Sequence, residues 1–187
     1  MVVPARQRFT FLDYVLFEAE STTRHEFLDG LVWAMAGGSP DHARIIANAT
    51  TMLSVGVAGR RCAVHTADLR IRVKATGLAT YPDISVICDQ IELDPEDTKR
   101  HTALNPKLLV EVLSPSTEDY DRGEKLDHYK QIMSLQEVLL VDHDRQRIVV
   151  WRRDGATWSS TEHLDGAIQL AIGCEISVAD VYRNPLA

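Results

Sequence analysis

The stretch Leu108-Leu109-Val110-Glu111-Val112-Leu113 is the most apolar run of the chain, and a single carboxylate interrupts it. A continuous apolar run of this length is typical of a central β-strand that is covered on both faces. Burying an ionised glutamate costs several kcal/mol unless a cation, a metal or hydrogen bonds compensate it. We therefore expect Glu111 to be either half of a buried ion pair, with Arg70 or Arg72, or a metal ligand.

A second acid occupies a similar place one strand earlier. Asp83 follows Pro82 at the start of the apolar run Ile84-Ser85-Val86. An aspartate after a proline is often a turn residue. Neighbouring strands of one sheet would, however, bring Asp83 and Glu111 within reach of one cation, and oxygen ligands suit Mg²⁺ or Mn²⁺. The two acids together predict a hard-cation site.

Basic and acidic side chains surround another predicted strand, over residues 69–73. Arg70 and Arg72 alternate there with apolar residues, so one strand face is buried and the other is cationic. The two arginines could contact phosphates or form structural ion pairs. Asp68 precedes the strand and could be a further acid at the metal site, a hydrogen-bond acceptor behind a ligand, or a partner of Arg70.

The roles of four other polar residues depend on how their segments pack. Lys125 lies on a predicted helix and faces solvent unless that helix packs beside the end of the Glu111 strand. His42 stands one turn into another predicted helix, where it makes a local polar contact unless the helix end faces a cleft. Ser114 and Ser116 are expected to bend and cap the chain after the strand.

Turn and cap signals locate the remaining elements. Thr10 and Asp13 have the spacing of a capping box, which predicts a helix over residues 10–19. Asp29-Gly30 between apolar runs predicts a hairpin over 25–35, and Ser39-Pro40-Asp41 predicts the start of a helix that ends near residue 57. The other predicted elements are strands over 62–65, 82–88, 106–113, 137–141 and 147–151, a polar loop over 89–105, a helix over 123–133, and a strand and short helix near the C-terminus.

Composition limits the class of protein. The 187 residues are 45% hydrophobic and 25% charged, which predicts one globular domain over residues 1–187. The net charge of −7 argues against a protein that coats nucleic acid, although an enzyme with a locally basic cleft is compatible with it. Without a long apolar span or a signal pattern, we expect a cytoplasmic protein. Cys62, Cys88 and Cys174 are odd in number and far apart, which predicts reduced thiols and no cysteine zinc site.

Several blocks of the sequence resemble a known family. Pro82-Asp83 followed by Glu111-Val112-Leu113 resembles the PD-(D/E)XK signature of the restriction-endonuclease-like superfamily, except that Leu113 occupies the usual place of the lysine. A longer ordered set, along nearly the whole chain, is similar to the Uma-type restriction endonuclease family. In that family the lysine has moved to the following helix, where Lys125 matches it. The blocks are Glu26-Phe27-Leu28-Asp29-Gly30, Ser39-Pro40-Asp41-His42, Asp68-Leu69-Arg70-Ile71-Arg72, Tyr81-Pro82-Asp83, Glu111-Val112-Leu113-Ser114-Pro115-Ser116-Thr117, residues 121–125 with Tyr129, and residues 138–142.

The resemblance implies a fold and an active site. The fold would be an α/β domain of restriction-endonuclease type, in which a mixed central sheet has helices on both sides, a helix and hairpin precede it, and extra strands follow it. Asp83, Glu111 and the backbone carbonyl of Val112 would hold Mg²⁺ or Mn²⁺. Glu26 would support a ligand or a second metal, and Lys125 would orient the attacking water.

The resemblance also implies a reaction. Beside what the resemblance implies, we expect Asp68 and Tyr129 behind the metal ligands, and Arg70 and Arg72 as DNA contacts or structural ion pairs. The reaction would be hydrolysis of a DNA phosphodiester that leaves a 3′ hydroxyl and a 5′ phosphate, and a homodimer would present two sites if both strands are cut. The alternative is a catalytically silent module that binds DNA or protein. The clustered acids favour the enzyme, whereas the acidic net charge favours the module.

Overall fold

The structure, a computed structural model, describes residues 8–35, 37–114 and 118–186, so the predicted cap at Ser116 lies outside the described residues. The helices are α1 (Phe11–Glu20), α2 (Pro40–Gly56), α3 (Glu118–Arg122), α4 (Glu124–Tyr129) and α5 (Val178–Tyr182). The strands are β1 (His25–Leu28), β2 (Leu31–Ala34), β3 (Cys62–Thr66), β4 (Arg70–Arg72), β5 (Ala79–Thr80), β6 (Ile84–Cys88), β7 (Thr102–Ala103), β8 (Leu108–Leu113), β9 (Glu137–Asp142), β10 (Ile148–Asp154), β11 (Thr157–His163), β12 (Ala167–Gln169) and β13 (Glu175–Ser177).

The central sheet is mixed, as predicted. Its six strands lie in the order β11-β10-β9-β8-β6-β3. Strand β8 runs parallel to β9 and antiparallel to β6, and Ile84 of β6 pairs with Val110 of β8. Continuing this antiparallel register by one residue sets Asp83 opposite Glu111. Strand pairing thus brings the two predicted acids to the same end of the sheet.

A second sheet, which was not predicted, accompanies the central sheet. The hairpin β1–β2 and the strand β4 belong to a separate five-stranded sheet in the order β2-β1-β5-β4-β7. The partners of β4 are the two-residue strands β5 and β7, which are too short to leave a periodic sequence pattern. Because β4 pairs with them, it lies outside the central sheet.

The two faces of β8 pack against different layers. Val110 and Val112 join a core cluster that includes residues of α2 and α5, whereas Leu109 and Leu113 join a second cluster that includes residues of α4 and of the second sheet. Successive side chains of a strand point to opposite faces. Glu111 therefore points to the α4 side, the side from which Lys125 approaches.

The N-terminal helix and the long helix begin as the cap signals predict. The Thr10 side chain accepts a hydrogen bond from the backbone of Asp13, and the Asp13 carboxylate accepts one from the backbone of Thr10. The Ser39 side chain caps α2 by accepting from the backbone N–H of His42. Asp29 and Gly30 form the two-residue turn of the hairpin, both with positive φ angles. Local turn and cap chemistry thus sets these boundaries.

Two local predictions are wrong, and one strand was not predicted. The predicted helix over 123–133 ends at Tyr129, and the Met133 side chain, assigned to its apolar face, is 89% exposed. The segment 89–105 is not merely a polar loop, because it contains β7 and the buried acids Asp94 and Asp97. Strand β11 was not predicted, since its exposed edge position leaves little apolar alternation.

The expectation of three reduced thiols is also wrong. Cys62 and Cys88 form a disulfide, and only Cys174 is a free, buried thiol. The two cysteines are opposite each other in the antiparallel pair of β3 and β6, so the register brings together residues that are distant in sequence.

None of the helices in the described ranges is both long enough and apolar enough to span a membrane.

Candidate active site

Four side chains predicted from the sequence meet in one cleft. Glu26, Asp83, Glu111 and Lys125 all line a cavity of about 300 Å³. The hairpin β1–β2 supplies Glu26, the start of β6 supplies Asp83, and β8 supplies Glu111. Helix α4 packs beside the end of β8, which places Lys125 inside the protein and excludes the alternative that it faces solvent.

The Lys125 ammonium is shared by three carboxylates. Its Nζ lies 3.1 Å from Glu26 Oε1, 3.0 Å from Glu111 Oε1 and 3.3 Å from Asp121 Oδ1. Burial alone lowers the pKa of a lysine, but the surrounding carboxylates, Glu111 foremost, raise the pKa of Lys125 well above its ordinary value. The ammonium is therefore charged at neutral pH.

Glu111 is held from two sides. The Tyr129 hydroxyl donates a hydrogen bond to Glu111 Oε1, the oxygen that also faces Lys125. Burial raises the pKa of Glu111 to about 8, against the opposing effect of Lys125 and with a contribution from the nearby Asp121 and Asp83. Of the two alternatives for Glu111, an ion pair with Arg70 or Arg72 is wrong, because its cationic partner is Lys125.

Asp83 is fixed at the mouth of the same cleft. Its Oδ2 accepts a hydrogen bond from the backbone N–H of Val112 at 2.7 Å, and His42 Nε2 lies 3.6 Å from the same oxygen. Burial raises the pKa of Asp83, and the Val112 N–H and His42 oppose that rise. The start of α2 thus faces the cleft, the condition under which His42 was expected to approach a substrate.

Glu26 connects the second sheet to the site. Its Oε1 accepts a hydrogen bond from the Thr80 hydroxyl and faces Lys125. Asp121, on α3, lies four residues before Lys125, which is on α4, and its carboxylate faces the same ammonium. Asp121 was not predicted as a site residue, because it lies in the acidic stretch Glu118-Asp119-Tyr120-Asp121, which has the pattern of a solvated helix start.

The donor set fits a hard divalent cation. Among the described residues that line the cleft, Lys125 is the only lysine or arginine, and it is accompanied by four carboxylates. An excess of buried negative charge favours binding of a cation. The described residues contain no group of three His, Cys, Asp or Glu side chains placed to hold one metal. Mg²⁺ does not require such a group, because it commonly binds through one or two carboxylates and keeps several waters.

The structure does not fit the DNA contacts expected of Arg70 and Arg72, nor the position expected of Asp68 behind a metal ligand. Arg70 is buried and donates to Asp97 Oδ2 at 2.9 Å, and Arg72 donates to Asp94 Oδ2 at 2.8 Å. These are the structural ion pairs that the sequence analysis left as the alternative. The exposed Asp68 side chain pairs with Arg24 at 2.9 Å, so it is neither behind a metal ligand nor a partner of Arg70.

Two aromatic residues also line the cleft, and the sequence analysis missed both. Trp33 of β2 and Tyr120 of α3 pack edge to face, with ring centroids 6.4 Å apart. A tryptophan in a short hairpin strand gives no sequence signal that separates a site residue from a core residue. Only the register of the hairpin and the packing of α3 identify these two rings as part of the cleft.

Comparisons with known proteins give the family and the fold. The sequence matches the family Uma2, described as "Putative restriction endonuclease", over residues 10–179. It is similar to two proteins of Synechocystis sp., "Uncharacterized protein slr1290" and "Uncharacterized protein sll1609". The first is 35% identical over 176 residues, covering 92% of this chain and 90% of that protein. The second is 30% identical over 163 residues, covering 87% of this chain and 91% of that protein.

A solved structure shares the fold. The crystal structure of a "putative nuclease belonging to DUF820" from Anabaena variabilis ATCC 29413 superposes with a TM-score of 0.73. Its sequence identity to this chain is 20%, and the match covers 91% of this chain and 96% of that chain. The match confirms the predicted α/β fold class.

Proposed function

The chain belongs to the Uma2 family, the family described as "Putative restriction endonuclease", and from this membership we propose that it is a Mg²⁺-dependent DNA endonuclease. The observation that carries the proposal is the convergence of Glu26, Asp83, Glu111 and Lys125 in one buried cleft. Desolvating such a cluster is costly, and a purely structural domain gains little from it.

The proposed metal ligands are Asp83, Glu111 and the backbone carbonyl of Val112, with water completing the shell of Mg²⁺ or Mn²⁺. When bound, the ion would neutralise charge on the scissile phosphate and acidify a bound water. The hydrogen bond from the Val112 N–H orients the Asp83 carboxylate, and the Tyr129 hydroxyl orients the Glu111 carboxylate. Both acids are thereby held in place before any ligand arrives.

Lys125 has the electrostatic role in this proposal. Glu26 and Asp121 fix its ammonium group from two directions, and its raised pKa keeps it charged. A fixed ammonium donates hydrogen bonds to an attacking water and offsets the charge that builds on the phosphate. In-line attack would leave a 3′ hydroxyl and a 5′ phosphate.

Incubation of the purified protein with supercoiled DNA, with and without Mg²⁺ or Mn²⁺, tests the proposal. We expect nicking that requires the metal and that Asp83→Ala or Glu111→Ala abolishes. Asp68→Ala is the matched control, because it removes an exposed aspartate that lies outside the cleft and pairs with Arg24. Nicking that survives both cleft substitutions would show that the site is misassigned.

A catalytically silent DNA-binding or interaction module gives a different result. It would show no metal uptake by calorimetry at millimolar Mg²⁺ with DNA present, and no cutting under any metal. We further propose that the chain folds as one domain and is located in the cytoplasm. Because a single site cuts one strand, we propose that a homodimer is needed to cut both strands. Light scattering of the purified protein would measure the mass of the assembly.

A further inference from the structure

The aromatic pair Trp33–Tyr120 stands beside the reacting groups. Trp33 pairs directly with Glu26 across the hairpin β1–β2, and directly opposed residues point to the same face of a sheet. Trp33 therefore shares a face with an acid of the cleft. Tyr120 lines the same cleft, and Lys125 Nζ is 5.9 Å from the centre of its ring. The two rings meet at an interplanar angle of 82°.

Packing of the hydrophobic core does not account for this tryptophan. Its neighbour Val32 packs on the aromatic cluster of Phe11, Tyr14 and Phe27, on the opposite face of the hairpin. Trp33 belongs to none of the hydrophobic clusters formed by the described residues, and its side chain is only half buried. A large aromatic ring that lines a polar cleft without joining a core is a surface for a ligand.

The charge of the cleft narrows the class of ligand. Lys125 is the single lysine or arginine on the described part of the cleft wall, and three carboxylates already surround it. Phosphate contacts, which dominate the binding of duplex DNA, have few cationic partners here. Stacking of a nucleobase on an aromatic ring is independent of sequence and needs no cation. It does require a base that has left the duplex stack.

We propose that Trp33 and Tyr120 form a stacking corner for an unpaired nucleobase next to the scissile phosphate, so that the preferred substrate is single-stranded or locally unpaired DNA. The flat base lies against one ring with its edge towards the other. The inference rests on the proposed nuclease function for the identity of the ligand. Its test uses binding as well as cutting, so that the two proposals fail separately.

Equilibrium binding of fluorescent oligonucleotides tests the stacking corner. The wild-type protein and Trp33→Leu are titrated with a single-stranded and a fully paired oligonucleotide of the same sequence, in Ca²⁺ buffer in which cutting is checked to be absent. We expect Trp33→Leu to weaken single-strand binding by roughly 5- to 100-fold, equivalent to ~1–3 kcal/mol, and to change duplex binding little. Trp33→Phe, which keeps a ring, should recover most of the affinity.

Trp158→Leu is the matched control. Trp158, like Trp33, is a half-buried tryptophan on an edge strand, but it packs against Arg153 and the core cluster that includes Leu109, away from the cleft. It should bind both oligonucleotides as the wild type does. The sequence contains three tryptophans. A Trp151→Phe/Trp158→Phe variant therefore retains only Trp33, and its fluorescence should be quenched by the single strand.

The outcomes separate the two proposals. Equal loss of single-strand and duplex binding in Trp33→Leu, or no loss of either, overturns the stacking corner even if the protein cuts DNA. Selective loss of single-strand binding supports the stacking corner even if no cutting is found. Failure of the wild-type protein to bind either oligonucleotide overturns both proposals.

Discussion

Lys125 Nζ lies 3.0 Å from Glu111 Oε1, and both side chains are almost completely buried. The contact joins the most apolar strand of the central sheet to the helix that covers it. Because Glu26 and Asp121 share the same ammonium, three acids depend on one cation. The cluster therefore contains more acids than cations before any ligand binds. Because the same groups support the fold and form the site, a change in their charge should affect both stability and chemistry.

Removing the ammonium should destabilise the protein strongly. We expect Lys125→Met to lower the free energy of unfolding by about 3–5 kcal/mol, since it leaves buried carboxylates without a cation. Arg61→Met is the matched control, because Arg61 and Asp89 are both exposed and lie 3.4 Å apart, and such a pair is worth less than ~1 kcal/mol. Urea denaturation measures both variants. If both variants lose similar free energies of unfolding, the Lys125 cluster stabilises the protein no more than a surface ion pair does.

The raised pKa of Glu111 predicts a pH dependence of stability. Its pKa of about 8 in the folded protein exceeds the unfolded value near 4.5, so the folded state binds more protons between these values. The stability contributed by Glu111 is therefore fully present below about pH 4.5 and is lost as the pH rises through about 8.

Binding of a divalent cation should restore the stability that is lost at high pH. We expect millimolar Mg²⁺ to raise the melting temperature at about pH 9 by at least roughly 2–4 °C, the shift produced by ~1 kcal/mol, and to have little effect at about pH 5. Thermal unfolding followed by circular dichroism measures it. Glu111→Gln should remove most of the difference between the Mg²⁺-induced shifts in melting temperature at the two pH values. If the difference is unchanged in this variant, another group is responsible for the titration.

Two adjacent glycines allow a test of the contact between His42 and Asp83. A Cβ at Gly38 would lie 2.4 Å from His42 Nδ1, whereas a Cβ at Gly37 would have no heavy atom within 4 Å. We expect Gly38→Ala to displace the imidazole from Asp83 and to weaken Mn²⁺ binding by up to about 10-fold. Calorimetric titration of Mn²⁺ measures this affinity, and Gly37→Ala should bind as the wild type does. Equal affinities in the two variants would show that the position of the His42 ring is immaterial to the metal.

The sequence predicts those parts of the fold and site whose signals are local. The capping box at Thr10, the Asp29-Gly30 turn and the capped start of α2 depend on neighbouring residues, and the structure confirms them. Glu111 is recognisable because an acid inside an apolar strand violates a general rule of burial. The resemblance of the ordered blocks pointed to Lys125 as a residue of the cleft, whereas helix periodicity alone would have left it on the surface.

The features that were missed come from pairing between distant segments. The disulfide of Cys62 with Cys88 follows from the register of β3 and β6, and periodicity does not encode a register. Asp121 and Trp33 reach the cleft only because α3 and the hairpin pack around it. The buried acidic partners of Arg70 and Arg72 come from the segment 89–105, whose polar composition hides Asp97 and Asp94.

The corrected role of Arg70 gives the last prediction. Arg70 and Asp97 are both buried and lie 2.9 Å apart, and the Arg70 guanidinium also donates to Thr102 and Tyr81. Asp97→Ala removes one partner and leaves a buried cation uncompensated, so we expect a loss of about 3–5 kcal/mol in the free energy of unfolding. Asp68→Ala breaks the exposed pair with Arg24 and should cost less than ~1 kcal/mol.

A DNA-contact role for Arg70 makes the opposite prediction. If its guanidinium served to bind phosphate, Asp97→Ala would free it, strengthen DNA binding and steepen the dependence of affinity on salt, with little loss of stability. Chemical denaturation and salt-dependent DNA binding of the same two variants therefore distinguish the roles. A large loss of stability for Asp97→Ala, with the salt dependence of the remaining folded protein unchanged, places Arg70 in the structural framework that supports the second sheet.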